Sequence, residues 1–315
     1  MRLRATTPST VAAGAAGLDA DLPAGPRQDR DRLAWSSLGF LTPSVAVMGV
    51  LFLAPIGYAL YLAFTNLQLA GPHAQSYGFT GLANVHRLAQ DPEFWKSARL
   101  TVVFVVGSAI LGQTVLGLIL ALLMRRTLAL IRLSVGAVIV LAWVLPEVTA
   151  AFVWYAFGQS GGTLSHMLGS PGTNYLVSAP MLMISIANLW RNVAFCMLMF
   201  SAALRNLPTE VLEASEMEGA SLARRLVRVV LPMLRGTIAT NLLLVTLGNI
   251  SDFTLIWVMT QGGPGDATSV LPVYMYLVSF TYNDLGYGSM LGLALVVLAA
   301  LFSVLYVRHL RSRVA

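Results

Sequence analysis

The chain has 315 residues, of which 57% are hydrophobic and only 11% charged, against roughly 25% charge in an ordinary soluble domain. That composition excludes a soluble fold and makes the bilayer the expected solvent. The formal charge of +6 and the single cysteine, Cys196, which lies in an apolar stretch, leave no internal disulfide and no second thiol for a metal site.

Residues 1–35 are rich in Ala, Gly, Pro, Asp and Arg without an amphipathic period, and read as a disordered tail. They lack an apolar core followed by a small-residue cleavage site, so they are not a secretory signal. Residues 36–308 form the expected membrane domain, with 309–315 as a second short tail. Six stretches, 38–64, 101–124, 133–157, 180–203, 237–260 and 287–307, are apolar and each reaches the roughly 20 residues that a spanning helix needs. Backbone polar groups in hydrocarbon must be satisfied internally, and these segments are too long and too uniformly apolar for barrel strands. The fold class is therefore all-α integral membrane with six transmembrane helices.

Sixteen of the twenty basic residues fall before the first stretch, after the sixth, or in the loops 2–3 and 4–5. The positive-inside rule places these segments and both termini in the cytoplasm. The net charge is thus an orientation signal with contact to anionic membrane lipid, and not a nucleic-acid footprint. On the other side, residues 68–98 mix glycines with Phe94 and Trp95, which suit an interface. Residues 158–179, with Gly161, Gly162 and Gly169, are expected to turn back at the membrane surface. There is no GxxxxGK phosphate loop and no HExxH or CxxC spacing, so nucleotide chemistry has to come from another subunit.

The inner loop 207–232 reads LPTEVLEASEMEGASLARRLVRVVLP. Pro208 suits a helix start, Glu210 and Glu213 favour its positive end, and Gly219 permits a break before an arginine-rich helical segment. Ala214 and Ser215 are small enough for a partner to approach closely. Glu213, Ala214, Ser215 and Gly219 with Leu231-Pro232 resemble the EAA loop of bacterial ABC importer permeases, with Ser in place of the last Ala. The resemblance implies a type I importer permease fold, and a coupling loop (204–236) whose short helix sits in a cleft of an ATP-binding subunit. Glu213, Ala214, Ser215 and Gly219 are then the coupling residues.

A second stretch, DFTLIWVMTQGGPGDAT at 252–268, is similar to the FxxxxxTxGGP segment of sugar permeases related to the larger maltose-transporter membrane subunit and the first glycerol-phosphate permease. Locally, Gly262, Gly263 and Pro264 mean a tight turn. The resemblance implies a carbohydrate importer. Its partners would be a second permease, an ATP-binding subunit dimer that alone uses ATP and Mg, an extracytoplasmic solute-binding protein and a sugar. This chain itself would hold no catalytic residue, cofactor or metal.

Three charged residues fall deep within the expected spans: Glu147, Arg191 and Asp252. Each costs roughly 2.5–3.5 kcal/mol on insertion scales, so such groups face a cavity or one another. By alignment on the two motifs, the sugar-contacting positions of the maltose subunit match Arg191, Asn192, Phe195, Asn249 and Asp252. A looser alignment on Pro146 adds Trp143 and Glu147. Read as helical, Trp143 and Glu147, Arg191 and Phe195, and Asn249 and Asp252 would each share one helix face. Carboxylates and amides suit hydroxyls, and Trp143 and Phe195 suit sugar rings. An interhelical ion pair without a ligand stays open, as do glycerol 3-phosphate or another non-sugar solute, a proton-coupled secondary transporter in which the three charges relay protons, and a non-transporting scaffold.

Overall fold

The computed structural model describes residues 42–311, so the expected tail at 1–35 lies outside the described residues. Residues from Tyr58 onward form one compact unit, and the described residues before it belong to a second. Five helices are long and apolar enough to cross a membrane: α1 (Thr42–Leu62), α3 (Pro92–Arg125), α8 (Pro180–Arg205), α10 (Leu222–Ile250) and α13 (Leu285–Arg311, apolar to Tyr306). A bent pair, α4 (Ala129–Val144) and α5 (Glu147–Gly158), together long and apolar enough, brings the number to six when counted as one broken span. Short helices link them: α2 (Ala83–Gln90), α6 (Thr163–Met167), α7 (Tyr175–Ser178), α9 (Thr209–Met217), α11 (Thr254–Thr260) and α12 (Leu271–Thr281). The expected reversal at 158–179 is α6 and α7, where Gly161 N–H donates to Pro171 C=O at 3.0 Å.

Two expected spans are not straight. The stretch 133–157 breaks at Leu145-Pro146, and the helical runs on either side meet at 104°. Pro146 disfavours helical backbone at the residue before it, and Leu145 is accordingly extended (φ −56°, ψ 134°). The stretch 237–260 is also two helices. α10 begins at Leu222, taking in the arginine-rich segment that the sequence sets apart from the span, and ends at Ile250; α11 follows after Ser251–Phe253. Glu147 is therefore the first residue of α5, just past the Pro146 break, and Asp252 lies in the break between α10 and α11. The expected shared faces of Trp143 with Glu147 and of Asn249 with Asp252 do not exist.

The core centres on α3 and α8. A Cβ added to Gly117 would collide with Cys196 Cβ and the Cys196–Met197 backbone, and Cys196 is wholly buried; small residues let membrane helices approach closely. Gly117→Val should lower stability by about 1–3 kcal/mol through overpacking, read as a lower melting temperature of the purified protein. Gly107→Val, where an added Cβ meets nothing, should leave it unchanged.

On the opposite end of the bundle from the α9 loop, polar contacts tie α2 and the start of α3 to α12 and α13. Asn84 donates to Ala63 C=O (2.8 Å) and Thr65 C=O (2.9 Å). Asp91 caps α3 through Glu93 N–H (2.9 Å) and accepts the hydroxyls of Tyr274 (2.7 Å) and Tyr287 (2.5 Å). Arg87 pairs with Asp284 at 2.6 Å while lying 3.9 Å over the Tyr287 ring. Burial raises the Asp91 pKa, but hydrogen bonds from Tyr287 and Tyr274, helped by backbone N–H groups, outweigh it and hold the carboxyl below its ordinary value. A depressed folded pKa gives stability that is present above the unfolded value and is lost as pH falls through the folded one. Asp91→Asn should therefore lower the melting temperature at pH 7, and the wild-type margin over it should shrink only in acid below the usual carboxylate range.

Candidate functional site

Pro146 and the break after Ile250 bring two irregular backbone segments together inside the membrane domain, and α8 runs beside them. The result is a cavity of about 340 Å³ lined by Glu147, Arg191, Asn192, Asn249 and Asp252, together with Phe253 and Thr254. Irregular backbone at membrane depth is tolerated where it lines a cavity or is buried in protein. Five of the seven expected contact residues thus share one space. The other two, Trp143 and Phe195, do not line it; their rings pack on each other at 6.2 Å.

Glu147 has two partners. One carboxylate oxygen lies 3.7 Å from Arg191 Nη2, and the other accepts Leu255 N–H at 3.0 Å, which joins α5 to the first turn of α11. Arg191 Nε and Asp252 Oδ1 are buried and have no hydrogen-bond partner among the described residues. The great majority of buried polar atoms are paired, so these two unpaired atoms set the residues that line the cavity apart from an ordinary buried ion pair.

Behind the cavity runs a seam of buried amides that sequence reasoning missed. Asn188 donates to Ser108 Oγ (3.0 Å) and to Asn249 Oδ1, Gln113 Nε2 donates to Asn249 Oδ1 (3.1 Å), and Asn192 donates to Asn188 C=O (3.2 Å). Gln113 and Asn188 are fully buried. Asn249, expected as a solute contact, also donates to Val245 C=O (2.7 Å) and so works chiefly as the clasp joining α3, α8 and α10. The only signal for the seam is uncharged amides within apolar stretches, which hydropathy averages away.

The GGP turn closes through threonines: Thr260 Oγ1 and Thr268 Oγ1 lie 2.7 Å apart, and Thr268 Oγ1 donates to Gly263 C=O at 2.9 Å. The turn follows α11, at which Phe253, just before the helix, and Trp257 within it stack at 5.6 Å and meet Tyr276 of α12.

At the other end of the bundle, α9 starts after Pro208 and ends at a left-handed Gly219 (φ +72°). Ala220 N–H donates to Ser215 C=O (3.2 Å) and Gly219 N–H to Glu216 C=O (3.0 Å), which satisfies the helix end. Glu213, Ala214 and Gly219 are exposed. Ser215 is buried, and its hydroxyl donates to Leu212 C=O at 2.7 Å. Met217, which the sequence did not single out, is 90% exposed. Across the Gly219 turn, Arg225 holds Glu216 at 2.8 Å, fixing α9 to the start of α10.

A family model described as "binding-protein-dependent transport system inner membrane component" matches residues 113–315. The chain belongs to this family. It is a multi-pass inner-membrane permease of a transport system, and the family is not a class of enzymes. The trehalose/maltose transport system permease of Thermococcus litoralis is 33% identical, over 75% of this chain and 81% of the relative. The trehalose transport system permease of Mycobacterium tuberculosis is 31% identical over 88% and 90%, and the sulfoquinovosyl glycerol permease of Agrobacterium fabrum 28% over 89% and 94%. The crystal structure of a bacterial ABC transporter importing alginate contains a chain similar in fold, with TM-score 0.74 and 18% identity over 90% of this permease and 98% of that chain. The matched segment takes in both cavity breaks and the α9 loop.

Proposed function

We propose that this permease carries a sugar across the cytoplasmic membrane by alternating access, with the cavity at Glu147, Arg191 and Asp252 as its solute site. The observation that carries the site is the convergence of Glu147, Arg191, Asn192, Asn249 and Asp252, from three helices and two chain breaks, on one cavity. Such a lining suits hydroxyls, which both donate and accept. Relatives named for trehalose, maltose and sulfoquinovosyl glycerol transport support a sugar. Two acids against one arginine disfavour glycerol 3-phosphate or another anion.

Both termini and the α9 loop lie in the cytoplasm, following the basic residues. A second permease completes the pathway, a binding protein delivers the sugar from outside, and two copies of an ATP-binding subunit, which hold ATP and Mg, supply the energy. Closure of that dimer pushes on Glu213, Ala214, Met217 and the Gly219 turn, while Ser215, Glu216 and Arg225 keep α9 rigid on α10. Because Asn249 lies in the last turn of α10 and Asp252 follows directly after it, a movement of the loop reaches the site through one continuous helix.

Competition in vesicles holding the complete transporter and its binding protein tests the reading. Uptake of a radiolabelled disaccharide should be suppressed by excess unlabelled sugar and unaffected by glycerol 3-phosphate. Accumulation of glycerol 3-phosphate in place of every sugar tried would replace the substrate class.

A further inference from the structure

A second cavity, of about 240 Å³, lies at the end of the bundle that carries the α9 loop, between α3, α4 and α8. Arg125, Arg132 and Arg205, one from each helix, surround it, and Met124, Met197, Leu198 and Leu204 form its apolar wall. No acidic residue lines it. Arg87, Arg191 and Arg225 each have a carboxylate within reach, whereas none of these three arginines has one among the described residues. A helix C-terminus stabilises a nearby cation, which explains Arg125 and Arg205 without a ligand. It does not explain Arg132, which stands near the N-terminus of α4, the positive end of a 16-residue helix with no side-chain cap.

Leu198 of the cavity wall is itself 44% exposed, and exposed Leu128, just before α4, and Leu133 within it (74% and 71%) lie to either side of the Arg132–Gly136 face of the helix, so apolar surface borders the basic pocket. At Gly136, which lines the cavity, an added Cβ would meet nothing within 4 Å, so the space is not filled by the chain itself. Basic pockets between membrane helices on the cytoplasmic side suit anionic lipid headgroups. We infer that this cavity binds one anionic phospholipid, its phosphate held by Arg125, Arg132 and Arg205 and its acyl chains lying along α4. A free phosphate would use the arginines and leave the apolar wall of the cavity without a role. The inference rests on the proposed orientation only for which leaflet supplies the lipid.

The test is native mass spectrometry of the assembled transporter released from nanodiscs of phosphatidylglycerol and phosphatidylcholine. The wild type should retain phosphatidylglycerol in preference. Combining R125Q, R132Q and R205Q should lower that retention about tenfold or more, given roughly 1 kcal/mol per basic residue at an anionic surface. Gly136→Leu, which fills the cavity and leaves every charge in place, should do the same. Equal retention in wild type and Gly136→Leu would overturn the site, as would displacement of the lipid by millimolar inorganic phosphate. Loss of the ATP-binding subunit from the triple variant with phosphatidylglycerol still bound would assign the arginines to a protein partner and also overturn it. None of these readings needs uptake or ATP, so a failure here is distinct from a failure of the transport proposal.

Discussion

Gly219→Val should leave the permease inserted and folded, yet lower coupled uptake about tenfold or more. A left-handed backbone costs an L-residue roughly 1–2 kcal/mol, and a β-branched one is a genuine outlier there. At φ +72° valine can relieve that strain only by unwinding the helix end, which breaks the bonds from Gly219 and Ala220 N–H to Glu216 and Ser215 and swings α9 away from α10. A loss of about 1.4 kcal/mol in the coupling equilibrium is already a tenfold effect. Gly219→Asn, which visits the left-handed region routinely, should retain most activity, and Met217→Asp should release the ATP-binding subunit without touching the turn. Uptake per ATP hydrolysed, measured in proteoliposomes, separates these outcomes. Normal coupling in the valine variant would remove the loop from the mechanism.

The second large effect concerns Asp252. Its Oδ1 makes no hydrogen bond and its neighbours include the like-charged Glu147 as well as Arg191, so Asp252→Asn should leave the melting temperature of the assembled transporter unchanged or raised. Sugar uptake should fall tenfold or more. Glu147 behaves differently because it has two roles. Glu147→Gln keeps an acceptor for Leu255 N–H and loses the Arg191 pair, whereas Glu147→Ala loses both. Breaking a fully buried pair costs roughly 3–5 kcal/mol; this one, at 3.7 Å with both side chains partly exposed, should cost less. Stability should therefore fall in the order wild type, Gln, Ala, while uptake is lost in both variants. Full uptake in Asp252→Asn would return the three charges to a purely structural role.

Much of the fold was legible because hydropathy reports burial in lipid directly. The α1, α3, α8 and α13 crossings follow from apolar runs. The Pro146 break did not, since the apolar run continues through it and hydropathy does not register backbone geometry. The Asp252 break interrupts its run for only three residues, too few to show in a window. At the site, the charged residues stood out by their cost in hydrocarbon, and motif alignment brought in Asn192 and Asn249. Gln113 and Asn188, uncharged, carried no such flag. The α9 motif was readable as a pattern, but which way each side chain points depends on packing, so Ser215 turned out buried and Met217 exposed. The tie from Asp91 to Tyr274 and Tyr287 joins positions far apart in the chain and has no local signature.

Uptake of labelled sugar into proteoliposomes containing the complete transporter, with the binding protein outside and ATP trapped inside, tests the energy source directly. Accumulation should require internal ATP and persist when an uncoupler collapses the proton gradient. Accumulation without ATP that collapses with the uncoupler would contradict an ATP-driven permease and make Glu147, Arg191 and Asp252 a proton relay.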